Sequence, residues 1–150
     1  MHVDLIIRLL VASVITGLIG WERETLHKPA GFRTHLLVGL GASLLVVLSI
    51  VAFPLSDSSA RVVAAVVQGI GFLGAGVILK TEGHVRGLTT AASVWFSAAL
   101  GITIGFGQYD IGIIAFIIAI LALQIKKWVG EEVEQETGGV PRKVSKKRNK

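Results

Sequence analysis

The chain has 150 residues, enough for one domain, and 52% of them are hydrophobic before its 18 glycines are counted. Soluble domains reach about 45–50% apolar only with glycine included, so this composition indicates a membrane protein. The net charge is +5, and six of the fifteen Lys and Arg fall within residues 142–150, a distribution that favours a membrane surface over nucleic acid as a partner. The absence of cysteine excludes a disulfide framework and a thiolate metal site.

Five apolar segments are long enough, or nearly long enough, to cross a bilayer, whose core needs roughly 17–25 residues per helix. They are residues 5–21, 36–53, 62–79, 88–106 and 111–129. The first carries Asp4 where a signal peptide would carry positive charge, so we interpret it as a retained span. The predicted fold class is therefore all-α, a polytopic integral membrane protein with about five transmembrane helices.

The chain divides into two predicted regions. Residues 1–129 form the transmembrane domain, and residues 130–150 form a charged cytoplasmic tail that we expect to be disordered. This tail joins an acidic patch to a basic end. It is either a solvated segment that sets topology or one that binds anionic lipid.

Basic residues are distributed unequally between the two sides of the predicted bundle. If the segments alternate in direction, thirteen of the fifteen Lys and Arg lie on one side, and only Arg8 and Arg61 lie on the other. The positive-inside rule therefore predicts that the N-terminus is outside and the C-terminus is cytoplasmic.

The third segment contains a G-x-G-x-x-G pattern, but such a pattern binds a dinucleotide only within a βαβ unit. Small residues in a membrane helix instead let neighbouring helices approach closely. We expect Gly69, Gly71, Gly74 and Gly76 to serve helix packing, and two small-residue seams to make this helix central. Gln68, between the seams, is expected to point into the bundle, where it either fixes packing or belongs to an ion path.

Charged and polar side chains crowd the connection between the first two segments. Carboxylates, guanidinium groups and imidazoles here can bind a cation, an anion or each other, whereas the plainer interpretation is a solvated loop. The connection has about a dozen residues, so it can fold its two ends together. We expect one polar cluster at the cytoplasmic mouth, with these candidate residues: Glu22, Arg23, Glu24, Arg33, Thr34 and His35.

Shorter patterns add further expectations. Asp4 and Arg8 stand i, i+4 on one helix face and are expected to pair. Gly101 and Gly105 form a small-xxx-small seam. Thr89 and Thr90 open the fourth segment and can cap it.

Two long motifs resemble the MgtC/SapB family of bacterial inner-membrane proteins. They read GLIGWERE...KPAGFRTHLLVGLGA, residues 17–42, and GIGFLGAGVI...VRGLTTAASVWFSAALGITIGFGQY, residues 69–109. The resemblance implies a five-helix, multi-pass inner-membrane domain linked to adaptation to low magnesium and, in intracellular pathogens, to survival inside host phagocytes. It also strengthens Thr89 and Thr90 as site candidates. Many members carry a soluble C-terminal domain, and here we expect the membrane domain alone.

The resemblance further implies regulation of partner membrane proteins, with a small-ion transporter or channel as the alternative. No G-x-x-x-x-G-K-[ST] loop is present, so ATP hydrolysis is not expected. We expect neither enzymatic activity nor a cofactor, because no nucleophile–base pair lies on one helix face. Metal ligands are not identifiable. The expected partners are the lipid bilayer, other inner-membrane proteins such as the ATP synthase or transporters, and a second copy of the chain, but not nucleic acid.

The predicted topology can be checked with reporter fusions placed after Ser56 and after Val140. Because the positive-inside rule separates these positions, the two fusions should report opposite sides of the membrane. Cytoplasmic signals from both would show that the number of spans is wrong.

Overall fold

The computed structural model describes residues 2–53, 58–81 and 84–136. Within them the chain forms five helices and one short hairpin, in the order α1 (His2–Thr25), α2 (Phe32–Ala52), α3 (Ser58–Val77), β1 (Leu79–Thr81), β2 (His84–Arg86), α4 (Leu88–Gly105) and α5 (Tyr109–Glu136). Helices α1 to α4 are long and apolar enough to cross a membrane, and α5 has a shorter apolar run, Tyr109–Ile125. The predicted fold class, a helical integral membrane protein, is confirmed.

The chain separates into two units, Met1–Ile117 and Ile118–Lys150. The first unit contains α1 to α4, the hairpin and the beginning of α5, and the second contains the rest of α5. Helix α5 ends at Glu136, so it runs past the predicted domain boundary at residue 129. The remainder of the predicted tail, residues 137–150, lies outside the described residues.

Helices α1, α2 and α4 form the core of the first unit, and glycines set their spacing. A Cβ at Gly101 of α4 would overlap the carbonyl oxygen of Gly39 in α2, and one at Gly105 would lie 2.9 Å from the Cβ of Val46. On its other side, a Cβ at Gly39 would overlap the side chain of Thr16 in α1. Small residues allow such backbone approach in lipid, where burial of apolar surface gives no drive for association. The predicted seam of Gly101 and Gly105 is confirmed.

Helix α3 lies at the edge of this core, where it packs mainly against α4. Among the described residues, a Cβ at Gly69, Gly71 or Gly76 would meet nothing within 4 Å, and one at Gly74 would lie 3.8 Å from the Cβ of Ala91. Gln68 is exposed. The prediction of a central third helix with an inward Gln68 is therefore wrong for the described single chain. The reason is that the direct backbone contacts between α2 and α4 occupy the centre, which leaves the small faces of α3 on the outside.

The hairpin between α3 and α4 is absent from the sequence-based prediction, which extended the third span to residue 79. Its strands are antiparallel, with Lys80 opposite Val85, and three-residue strands are too short to give a recognisable pattern. Gly87 follows with φ +88°, and a Cβ there would overlap the carbonyl oxygen of Val77. This left-handed glycine lets the chain turn directly into α4 beside the end of α3.

An arginine joins the start of α1 to the end of α4. Arg8 forms an ion pair with Asp4 at 2.7 Å, which confirms the predicted pair, and its Nη1 donates to the carbonyl oxygen of Gly105 at 3.0 Å. Gly107 has φ +81°, and a Cβ there would lie 3.1 Å from the Cζ of Arg8. The final carbonyls of α4 thus receive a cation, which the helix dipole favours.

Leucine substitution can distinguish glycines at close contacts between helices from glycines at open positions. Gly101→Leu should lower the yield of folded protein sharply, because a side chain at the contact with Gly39 forces α2 and α4 apart. Gly71→Leu is the matched control and should extract at the wild-type level, because its position is open. The measurement is the monodisperse fraction after detergent extraction and size exclusion. Equal losses from both variants would contradict the assignment of α3 to the edge.

Candidate functional site

A buried polar network joins α1, α2 and α4 at the end of the core opposite the Asp4–Arg8 pair. Arg23 is 4% exposed, and its Nη2 donates to the Oγ1 of Thr90, itself 2% exposed, at 2.8 Å. One turn further along α4, the Oγ of Ser93 lies 3.0 Å from the Nε2 of His35. We call Arg23, His35, Thr90 and Ser93 the core polar network. It draws one side chain from α1, one from α2 and two from α4.

The hydrogen bonds of His35 indicate which ring nitrogen carries a hydrogen. Its Nδ1 lies 2.9 Å from the carbonyl oxygen of Gly31, which can only accept, so Nδ1 carries the hydrogen. In the neutral ring, Nε2 is then an acceptor for the hydroxyl of Ser93. The same hydroxyl also has the carbonyl oxygen of Thr90 within reach at 2.9 Å. The hydroxyl has a single hydrogen, so it donates either to the imidazole of α2 or to the carbonyl oxygen of Thr90 in the first turn of α4.

Close contact between α1 and α2 seals this network from one side. A Cβ at Gly20 would lie 2.7 Å from the Cα of Phe32 and 2.9 Å from the Cβ of His35. His35 is fully buried as a result. Gly20, the second glycine in GLIGWERE, thus has a clear structural role, since any larger residue at this position would push α2 away from the network.

The guanidinium of Arg23 is incompletely paired. Its Nε and the Oε2 of Glu22 are both buried and have no hydrogen-bond partner among the described residues. The Glu22 carboxylate interacts electrostatically with Arg23, but no ion pair within 4.0 Å joins these two side chains in the described part of the chain. Burying a charge is costly unless it is paired, so Arg23 is the most unusual feature of the core.

The other charged residues of the first connection lie on the outer surface of the loop. Glu24 Oε2 accepts the backbone N–H of Phe32 at 2.8 Å and so caps the first turn of α2. Arg33 and Thr34 are exposed. A shallow polar pocket of about 460 Å³ lies here, lined by Glu24, Lys28, Pro29, Gly31, Arg33 and Thr34.

The structure divides the predicted single cluster of Glu22, Arg23, Glu24, Arg33, Thr34 and His35 between the core and the surface, so the prediction of one cluster is wrong. Arg23 and His35 belong to the core polar network, Glu22 is half-buried next to Arg23 in the chain, and Glu24, Arg33 and Thr34 line the surface pocket. Arg33 and His35 stand two positions apart on α2, which places them about 200° apart around the helix. They cannot share a site on one face. The length of the connection is compatible with one cluster, but the helix period places Arg33 and His35 on different faces of α2.

The remaining candidates are also divided by the structure. Thr90 is in the network, whereas Thr89 is exposed on the first turn of α4. Gln68 and the glycines of α3 are outside it. Sequence reasoning missed Ser93, although Thr90, Ser93 and Ser97 follow the i, i+3, i+7 spacing of one helix face, and all three are buried. Within the described residues, no three His, Asp or Glu side chains are grouped so that they could hold a metal ion.

The fold and this core together define a multi-pass membrane protein whose interior contains an arginine. The chain belongs to the MgtC family, whose model matches residues 9–132, including the whole core polar network. The resemblance found in its motifs is thereby confirmed.

Several named proteins are similar to this chain. It is 41% identical over 130 residues to "Protein MgtC" of Salmonella typhimurium, covering 87% of this chain and 55% of the relative. It is 40% identical over 132 residues to "Putative magnesium transporter YhiD" of Escherichia coli K12, covering 83% and 61%. "Protein MgtC" of Brucella abortus is 50% identical over 115 residues, covering 75% and 48%. The chain spans about half to three fifths of the length of these curated relatives, and no solved structure matches it.

Proposed function

We propose that this chain supports magnesium homeostasis by modulating partner membrane proteins and does not itself carry the ion. Membership of the MgtC family and the magnesium named for the Escherichia coli relative support the link to magnesium. The buried guanidinium of Arg23 is the observation that carries the second part of the proposal. No catalytic step is proposed.

A cation path through the core would have to pass Arg23. At an effective dielectric constant near 20, a guanidinium repels a divalent cation by about 8 kcal/mol at roughly 4 Å, twice the figure for two unit charges. The core also lacks room along the contact between Gly39 and Gly101, where the backbones of α2 and α4 touch. Both features disfavour conduction of Mg²⁺ between α1, α2 and α4.

The edge helix α3 supports a role that depends on a partner helix. A Cβ at position 69, 71 or 76 would meet no described residue of this chain within 4 Å outside its own helix, yet glycine costs about 1 kcal/mol relative to alanine in a helix. An apolar groove of about 620 Å³ between α2 and α3 includes Gly41, Ala65 and Gly69. Small residues on an open membrane face favour close approach by another transmembrane helix. Candidate partners are other inner-membrane proteins, such as the ATP synthase or transporters, and a second copy of the chain.

We place the protein in the bacterial inner membrane with its N-terminus outside and its C-terminus in the cytoplasm. The thirteen-to-two division of basic residues supports this orientation. The hydrogen bond between Arg23 and Thr90 is consistent with it, because it brings the end of α1 and the start of α4 to one side.

The second candidate function is transport of a small ion, and one observation favours it. The Escherichia coli relative, 40% identical, carries a name that refers to magnesium transport. A transporter and a modulator differ in one property, which is whether the pure protein moves the ion.

The two candidates can be distinguished by pairing a flux assay with a growth assay. Proteoliposomes of the purified chain, loaded with a magnesium-sensitive dye, should show no Mg²⁺ influx above that of empty liposomes. The same chain should restore growth at low magnesium to a strain that lacks its MgtC-family protein. Saturable influx that depends on the protein would refute the modulator proposal and establish transport.

Two arginine variants make the growth assay specific to the core. Arg23→Gln should abolish growth support at matched protein amount, because it removes the cation of the core polar network. Arg33→Gln is the control: it removes the same charge at the same end of the bundle, and its exposed position should tolerate the change.

A further inference from the structure

We propose that the first turn of α4 is a binding site for an oxyanion of the phosphate class. The anion would lie between the free backbone N–H groups of this turn and the guanidinium of Arg23. The site follows from the charge and geometry of the described residues and is independent of the partner-modulating role.

The N-terminus of α4 offers hydrogen-bond donors without acceptors. Its N-cap is Gly87, which supplies no side-chain hydrogen bond. The backbone N–H groups of Leu88, Thr89 and Thr90 have no acceptor in the part of the chain that the structure describes. Leu88 and Thr89 are exposed, so an anion can reach them. Such a turn carries roughly half a positive charge from the helix dipole.

The guanidinium of Arg23 reaches the same turn and is nine-tenths buried. It donates to Thr90 Oγ1 at 2.8 Å, and its Nε remains without a partner. A guanidinium and the positive end of a helix therefore meet in a buried region, and among the described residues only the Glu22 carboxylate adds a negative charge near Arg23. An anion bound between them would neutralise both and accept hydrogen bonds from both.

The start of α2 shows how this chain satisfies a similar turn elsewhere. The N-cap of α2 is also a glycine, Gly31, but Glu24 Oε2 accepts the N–H of Phe32 at 2.8 Å. Among the described residues, no carboxylate does the same for α4. Glu22 interacts electrostatically with Arg23, but its buried Oε2 accepts no hydrogen bond from α4 or from any other described residue. Among the described residues, a carboxylate therefore accepts a hydrogen bond from the first turn of α2, and none accepts one from the first turn of α4.

Phosphate chemistry fits this arrangement better than a cation or a neutral ligand. A guanidinium presents a planar fork of N–H donors that matches phosphate oxygens, and the remaining oxygens can accept from the amides of Leu88 and Thr89. Arg86 is exposed just before the turn and adds positive charge. The phosphate could be a free ion or the headgroup of an anionic phospholipid, since the turn lies at the end of a membrane-spanning helix.

The test measures thermal unfolding of the full chain, purified in a neutral detergent. One arm titrates sodium phosphate against sodium chloride at equal ionic strength. The other compares phosphatidylglycerol with diacylglycerol that has the same acyl chains and no phosphate. We expect the unfolding midpoint to rise by about 5 °C or more at a hundredfold excess over Kd. A rise with inorganic phosphate assigns the site to the free ion, and a rise with phosphatidylglycerol alone assigns it to the headgroup.

Three variants complete the experiment. Arg23→Gln should raise the Kd of the effective ligand at least about tenfold, because it removes a charge-assisted contact. Arg33→Gln should leave the Kd unchanged. Thr89→Glu, at an exposed position, supplies a carboxylate to the turn, so it should raise the midpoint without ligand and abolish the ligand-induced rise.

If Arg23→Gln does not fold, the wild type and Thr89→Glu still test the proposal. If neither phosphate nor phosphatidylglycerol raised the wild-type midpoint above its control, the proposal would be overturned. A rise of wild-type size in Thr89→Glu would overturn it as well.

Discussion

The hydrogen bond between Arg23 and Thr90 is the interaction on which the arrangement of the core depends. It places a guanidinium inside the apolar bundle and fixes the end of α1 against the start of α4. Hydrogen bonds to charged groups contribute about 1.5–3 kcal/mol, and removing one partner of a buried pair costs more. The helices can meet there only because glycines allow it: Gly20 brings α1 to α2, and Gly39 meets Gly101 between α2 and α4. Close backbone contact between the helices therefore accompanies the buried charge.

Two arginines of α1 hold the two ends of α4, and the helix dipole makes these ends unequal. Arg8 donates to the carbonyl of Gly105 at the C-terminal end, where a cation is favoured, and its charge is paired by Asp4. Arg23 meets the N-terminal end, where a cation is disfavoured, and makes no ion pair among the described residues. This asymmetry is the physical basis for expecting an anion at one end of the bundle only. It also explains why a cation path through the core is disfavoured.

Patterns within single segments predicted much of the fold, whereas contacts between residues far apart in sequence could not be predicted from them. Hydropathy located the helices, and four-residue spacing identified the Gly101 seam, because both signals lie within one segment. The sequence shows the faces of α3 that consist of small residues, but the pattern of a single helix does not determine which neighbour covers residues such as Gly71. Arg33 and His35 were grouped by the length of their loop, although the helix period separates them. Arg23 bonds across 67 positions of sequence to its acceptor, and no local pattern encodes that pairing.

The most direct test of this account is a double-mutant cycle on Arg23 and Thr90. Arg23→Gln, Thr90→Val and the double variant would be compared with wild type by reversible unfolding in detergent. A parallel cycle with Arg33→Gln in place of Arg23→Gln serves as the control, since Arg33 is exposed. A coupling energy of about 1.5–3 kcal/mol is expected for Arg23 with Thr90, and none is expected for Arg33 with Thr90. A coupling below about 0.5 kcal/mol for Arg23 with Thr90 would show that the two residues act independently and contradict the account.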